Sequence, residues 1–332
     1  MMKIIGKSGV IHGIICMVLG TFVFVVQDAM MKMLLGSLPL WNLICSRSIL
    51  TIIILMPIIV LIGLPHRLFT PLWPLLLCRA ALFATGFTLY YTAFPFMSLA
   101  NVSTIIFAAP LITAVLASIL LNEKVGLHRV TALIIGFFGV ILAINPIAST
   151  FTWVSILPLI CAITYSISQI ITRKIGTNDT TITVGLYTIA FAGAFIIPIA
   201  WSVNFLTPFP KSAPHLRWDW NISSLEDAYA LGALGLVGMI AYLLITRAYQ
   251  VGQASAISPF EYIYLPLAAI LGYVGFNEIP KWNTVSGMIL IVTSSLYIGY
   301  RELISHQREQ SMAPTAEASF IPGTPPTPHN EP

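Results

Sequence analysis

The sequence predicts an all-α polytopic membrane protein in which ten transmembrane helices form two inverted five-helix repeats. Three observations predict it. First, 57% of the 332 residues are apolar and only 8% are charged, against about 25% charged in ordinary soluble domains, so lipid must solvate most of the chain. Second, ten apolar runs approach the roughly 20 residues that cross a hydrocarbon core of about 30 Å. Third, the two halves of the chain resemble each other at a fixed offset.

The runs lie near 10–31, 41–62, 73–97, 101–121, 128–145, 152–172, 181–203, 227–247, 254–275 and 282–300. Span 1 is interrupted by Asp28 and Lys32 and lacks a small-residue cleavage site, so it is expected to remain in the mature protein. Span 2 contains Ile49 to Ile62, an apolar stretch without the two-residue alternation of a barrel strand, and the spans are therefore read as helices. Span 3 carries Tyr90 and Tyr91. Span 4 contains Pro110 and closes on Asn122-Glu123; span 5 bears Gly136 and Gly139; span 6 carries Tyr165 and Gln169. After span 7 comes the longest loop, Asn204 to Glu226, where Trp218 and Trp220 suit the headgroup level. Span 8 ends near Arg247, span 9 carries Glu261, Tyr262 and Tyr264 and closes on Asn277-Glu278, and span 10 carries Gly287. Residues 301–332, rich in Pro, Ser and Thr, are expected to form a disordered tail. Cys16, Cys45, Cys78 and Cys161 all sit in apolar stretches and imply neither a disulfide framework nor a metal cluster.

An even number of spans puts both termini on one side. Eleven Lys and Arg residues fall on that side and four on the other, with Arg47 inside span 2, so the termini are expected to be cytoplasmic. An offset of 155 residues sets Ala93 on Ala248, Ser103 on Ser258, Asn122-Glu123 on Asn277-Glu278 and Thr131 on Ser286. An offset of 141 sets Asp28-x-x-x-Lys32 against Gln169-x-x-x-Arg173. Five spans per half is odd, so the second half enters the membrane in the opposite sense, and such inverted repeats are a device for alternating access.

Polar groups held in hydrocarbon are the candidates for function, because an ionised side chain at the bilayer centre costs about 2.5 to 3.5 kcal/mol on insertion scales. Glu261, seven residues into span 9 and just after Pro259, is expected to face a central cavity, or else to pair with Arg247. Asp28 and Lys32 have the i, i+4 spacing of a helical ion pair, which could be interfacial, a gate or a substrate contact. Arg47 presents a fork suited to a carboxylate, either a substrate's or that of Asp28. Arg79 and Arg247 are expected to snorkel towards phosphates. Tyr90, Tyr91, Tyr165, Gln169, Tyr262 and Tyr264 supply aromatic faces and polar atoms on which a cationic or planar solute could stack. Glu123 and Glu278 occupy equivalent positions, as helix caps or as gate residues.

Two five-helix halves, each with a Pro-containing fourth span, an Asn-Glu at its close and a Gly-bearing fifth span, resemble the drug/metabolite transporter superfamily, EamA type. The resemblance gives a first repeat at 9–145, a second at 152–300 and the tail at 301–332. Asp28-x-x-x-Lys32, Arg47, Arg79 and the run Ala254 to Tyr262 look most like the branch containing S-adenosylmethionine uptake carriers. The resemblance implies a carrier in a bacterial inner membrane, with a cavity lined by spans 1, 3, 4, 6, 8 and 9 and with spans 5 and 10 peripheral. It implies no cofactor. The expected partners are a small amine-bearing solute, the bilayer, a coupled proton or exchanged solute, and possible copies of the chain itself, but no nucleic acid. A membrane-embedded enzyme is disfavoured, since the sequence has no His-Glu-x-x-His, no Gly-x-Ser-x-Gly and no paired-Asp motif; a ten-helix scaffold or receptor is the other class in play.

Overall fold

The computed structural model describes residues 2–62, 69–120, 127–146, 152–175, 179–206, 213–219, 224–251 and 258–317. Among them every regular element is helical: α1 (Met2–Leu34), α2 (Leu40–Ile62), α3 (Trp73–Thr92), α4 (Leu99–Ile106), α5 (Ala109–Leu120), α6 (Leu127–Ile144), α7 (Leu157–Ile175), α8 (Thr181–Leu206), α9 (Leu225–Val251), α10 (Tyr264–Phe276) and α11 (Trp282–Glu317). Short 3₁₀ turns precede α7 (Trp153–Ile156) and α10 (Ser258–Ile263), and a third lies at Pro214–Leu216.

Five stretches are long and apolar enough to cross a membrane: Ile11–Leu34, Leu40–Ile62, Trp73–Thr92, Ile182–Leu206 and Leu225–Ile245. Shorter apolar helices cover Leu99–Thr113, Val130–Ile144, Trp153–Ser168, Phe260–Phe276 and Trp282–Ile298. The exterior is itself apolar. Ile53, Val60 and Leu61 of α2, Ile134 and Phe138 of α6, and Val274 of α10 are all exposed, a surface that suits hydrocarbon.

Two of the expected spans are broken, and proline explains both. Pro110 has no N–H for the carbonyl of Ile106, so α4 stops at Ile106 and a new helix begins at Ala109, with the proline in its first turn. In span 9 the chain runs as a 3₁₀ turn to Ile263 before α10 starts at Tyr264, with Pro266 in its first turn. The expected disordered tail is corrected in part. Helix α11 continues to Glu317, because Arg301 to Gln310 is rich in the straight-chain Arg, Glu, Gln and Leu residues that favour helix. Residues 318–332 lie outside the described residues.

Helix α1 packs along α9, α3 along α7 and α8, and α6 along α11. The last pair touches through glycine: a Cβ on Gly287 would lie 2.5 Å from the Gly139 carbonyl oxygen, and one on Gly139 would lie 2.9 Å from that of Gly287. Small residues let backbones approach in this way in membranes. Gly287→Val is therefore expected to destabilise the protein by about 1–3 kcal/mol through overpacking. A fall in the thermal unfolding midpoint in detergent, with the exposed neighbour variant Ser286→Ala unchanged, checks it.

Candidate functional site

Near the end of α1 the sequence Gln27-Asp28-x-x-x-Lys32 faces inward. Asp28 is completely buried, at 0% exposure, six residues or about 9 Å from the end of its helix. Its oxygens are shared out among hydroxyls and an amide. Oδ1 accepts from Tyr91 at 3.2 Å and from Gln27 Nε2 at 3.2 Å. Oδ2 accepts from Tyr90 at 3.2 Å and from Tyr264 at 2.5 Å. Tyr90 and Tyr91 are neighbours on α3, so one helix end supplies both carboxylate oxygens, whereas Tyr264 comes from the first residue of α10 in the second half of the chain. The carboxylate thus ties the two halves together. Its ligands are four donors, three hydroxyls and one amide, of the kind that satisfy a buried anion without neutralising it.

Arg47, six per cent exposed on α2, donates to the Tyr91 hydroxyl at 3.4 Å and lies over the Phe83 ring at 5.9 Å. Its Nε is buried without a hydrogen-bond partner. Opposite charges are therefore linked through one tyrosine hydroxyl. Aromatic rings surround them: Phe87 packs on Tyr90, Tyr91 and Tyr165, Phe24 on Tyr264, and Phe107 on Tyr262 and Tyr264 at 5.6 and 5.3 Å. Phe107 marks the break between α4 and α5, so the two helix breaks meet at this cluster.

One turn beyond Asp28, Lys32 forms an ion pair with Glu278 and also donates to the Met97 carbonyl at 2.6 Å. The Lys32 ammonium sits 5.3 Å from the Phe276 ring centroid. Glu278 in turn accepts from the Leu99 backbone N–H, 2.9 Å away, at the start of α4. Local geometry aims this carboxylate. Asn277 adopts the left-handed conformation, φ 53°, and ends α10 with bonds back to Tyr273 and Gly272, which folds Glu278 over the helix end.

Several expectations change. Lys32 pairs with Glu278 rather than with Asp28, because Asp28 is occupied one turn deeper by tyrosine hydroxyls. Glu261 is not the deepest carboxylate: it is half-buried on the 3₁₀ turn before α10, while Asp28 is fully buried. Arg79 does not snorkel; it is buried and donates to Thr188 of α8. Arg247 is exposed near the end of α9, as a snorkelling residue would be. Tyr165 and Tyr262 join the aromatic shell, whereas the side chain of Gln169 and all of Glu123 lie outside the described residues. Two participants were missed as members of the site. Gln27 was legible as a second polar group beside Asp28 in an apolar helix, and Glu278 was read as a cap or gate residue but not placed near Lys32. Among the described residues no group of three His, Cys, Asp or Glu side chains comes together as a metal site.

The model of the EamA-like transporter family matches residues 11–145 and 152–300. An S-adenosylmethionine uptake transporter of Rickettsia prowazekii is 26% identical, over 88% of this chain and 94% of its own. A riboflavin transporter of Vibrio cholerae is 25% identical over 83% and 88%, and the pseudopaline exporter CntI of Pseudomonas aeruginosa is 22% identical over 86% and 94%. A solved structure described only as "Crystal structure of protein" shares the fold, with a TM-score of 0.57 at 16% identity, over 88% of this chain and 96% of that one.

Proposed function

The chain belongs to the EamA-like transporter family, and from that premise we propose that it is a secondary carrier in which Asp28 receives the amine of a small metabolite. It is a multi-pass membrane protein, and its relatives named above are transporters of small solutes. The carrying observation is the wholly buried Asp28 carboxylate held by hydroxyls from both halves of the chain. A carboxylate inside aromatic walls binds an ammonium or sulfonium group through charge and ring faces. The guanidinium of Arg47, linked to it through Tyr91, is placed to take a carboxylate. Together they fit a zwitterion, such as the amino-acid end of S-adenosylmethionine.

In the proposed cycle the chain is a ten-span inverted repeat with both termini cytoplasmic. The two helix breaks support the repeat: α5 begins at Ala109 and α10 at Tyr264, which is the 155-residue offset of the sequence itself. The Lys32–Glu278 pair then closes the external face over Asp28. Rocking one half against the other breaks that pair, withdraws Tyr264 from Asp28 and frees one acceptor position on Oδ2 for the solute. The solute repays the lost hydroxyl contact, and closure on it carries the site to the other face.

The expected result in a thermal-shift screen of the purified protein is stabilisation by S-adenosylmethionine or amino acids, worth about 2.7 kcal/mol at 100 times the dissociation constant. Stabilisation by riboflavin and by no amine-bearing solute would overturn the substrate class. Uptake by proteoliposomes containing only this protein separates a carrier from a scaffold or an enzyme.

A further inference from the structure

Between α2 and the first two turns of α9 lies a groove of about 330 Å³ lined by Asn42, Ser46, Ile49, Leu50, Ala228, Leu231 and Gly232. It is blind at its inner end. A Cβ on Gly232 would meet nothing within 4 Å, whereas one on Gly235, a turn deeper, would lie 3.0 Å from Leu50 Cδ2 and 3.5 Å from Arg47 Cα. At its outer side Ile49 and Ala228 are exposed, so the groove opens towards hydrocarbon and not towards the Asp28 cluster.

One wall is polar and unsatisfied. Asn42 is 2% exposed, and both its Nδ2 and its Oδ1 are buried without a hydrogen-bond partner. An amide left in that condition is costly, and buried polar groups are otherwise almost always paired. Its neighbour Ser46 is satisfied by the Leu43 carbonyl, 3.1 Å away, so the need is confined to Asn42. A single water occupies about 30 Å³, a tenth of this volume, and the remaining walls are apolar, which disfavours a water cluster.

We propose that this groove binds a phospholipid with an ammonium headgroup. Asn42 is the third residue of α2, close to the helix end, at the depth where a lipid carries its ester carbonyls. Its amide N–H donates to such a carbonyl, and an acyl chain runs down past Ile49 and Leu50. Charge selects the headgroup. Glu226 and Asp227 open α9, and Asp227 stands four residues before Leu231 on the groove side of the helix, so the mouth is acidic and suits a cation. This inference rests on the chain being a membrane protein and not on the identity of the solute.

The test is the melting temperature of the full-length, delipidated protein in detergent, titrated with dioleoyl phosphatidylethanolamine or with dioleoyl phosphatidylglycerol. The wild type is expected to gain more from the ethanolamine lipid. Asn42→Leu removes the orphaned amide at similar volume, so it should start about 2–4 °C higher and lose the gain. Gly232→Leu fills the open space, leaves Asn42 in the sequence and should also lose the gain, while Asp227→Asn should respond equally to both lipids. Amine-solute stabilisation should persist in all three variants, which separates failure here from failure of the substrate reading. Equal gains from both lipids in the wild type, no gain at all, or an undiminished gain in Asn42→Leu would overturn the proposal.

Discussion

Asp28→Asn is expected to lower uptake of the amine-bearing solute by at least about 100-fold, equivalent to about 2.7 kcal/mol of lost interaction in the rate-limiting state. Asparagine preserves most of the local structure. It has nearly the same shape, its carbonyl can still accept from Tyr90 or Tyr264, and hydroxyls can rotate to accept from its new amide. The packing of Phe87, Phe94 and Tyr91 around it is undisturbed, so the protein should insert and fold. Removing the charge from a wholly buried position removes a desolvation cost there but leaves the buried Arg47 guanidinium without its counter-charge, and the two effects oppose, so melting should change little beside the loss of uptake. What disappears is the anion that an ammonium or sulfonium replaces hydroxyls to reach. The measurement is initial uptake in proteoliposomes beside the melting temperature of the same preparation. Wild-type uptake by Asp28→Asn would show a structural carboxylate, and the site would then have to be sought around Arg47.

The architecture was legible because lipid imposes a simple rule: an apolar run of the right length becomes a helix. The described residues are all-helical as expected, five of the expected spans are helices long and apolar enough to cross a membrane, and shorter apolar helices lie where the others were expected. Pro110 and Pro266 were visible in the sequence, but whether a proline kinks a helix or splits it depends on what satisfies the freed backbone. The site was half legible. Asp28, Arg47, Tyr90, Tyr91 and Tyr264 were candidates, yet depth counted along span 9 put Glu261 at the cavity, while Asp28 was left between an interface, a gate and a substrate contact. Counting along a helix measures distance from its end, and burial depends on which neighbours cover the residue; Asp28 has α3 and α10 over it. The Asp28–Lys32 spacing misled for a related reason. An i, i+4 pair is worth only about 0.2–0.5 kcal/mol in an isolated helix, so tertiary partners readily override it. The Lys32–Glu278 contact joins positions 246 residues apart and rests on the left-handed Asn277, neither of which a local pattern encodes.

The same contact yields the second large effect. Glu278→Ala is expected to cut transport by at least about tenfold, or about 1.4 kcal/mol, by depopulating the state closed over Asp28. It leaves the Lys32 ammonium with only the Met97 carbonyl and the Phe276 ring, and it strips the Leu99 N–H of its acceptor. Lys32→Met is milder, because Glu278 keeps the Leu99 N–H. Adding Lys32→Met to Glu278→Ala should therefore restore part of the loss, since the second change removes a charge that the first left unpaired. Exchanging the two residues should not succeed. A lysine at 278 would face the Leu99 donor, and a glutamate at 32 would face the Met97 carbonyl oxygen. A native thiol can report the opening directly: Cys161 is fully buried against Gly86, one turn before Tyr90 on α3. With Cys16, Cys45 and Cys78 replaced by serine, an impermeant thiol reagent added from outside should label Cys161 about tenfold faster in Glu278→Ala than in the wild type, as the same 1.4 kcal/mol shift requires. Equal labelling, or strictly additive losses in the double variant, would mean that the pair only fastens α1 to the end of α10 and gates nothing.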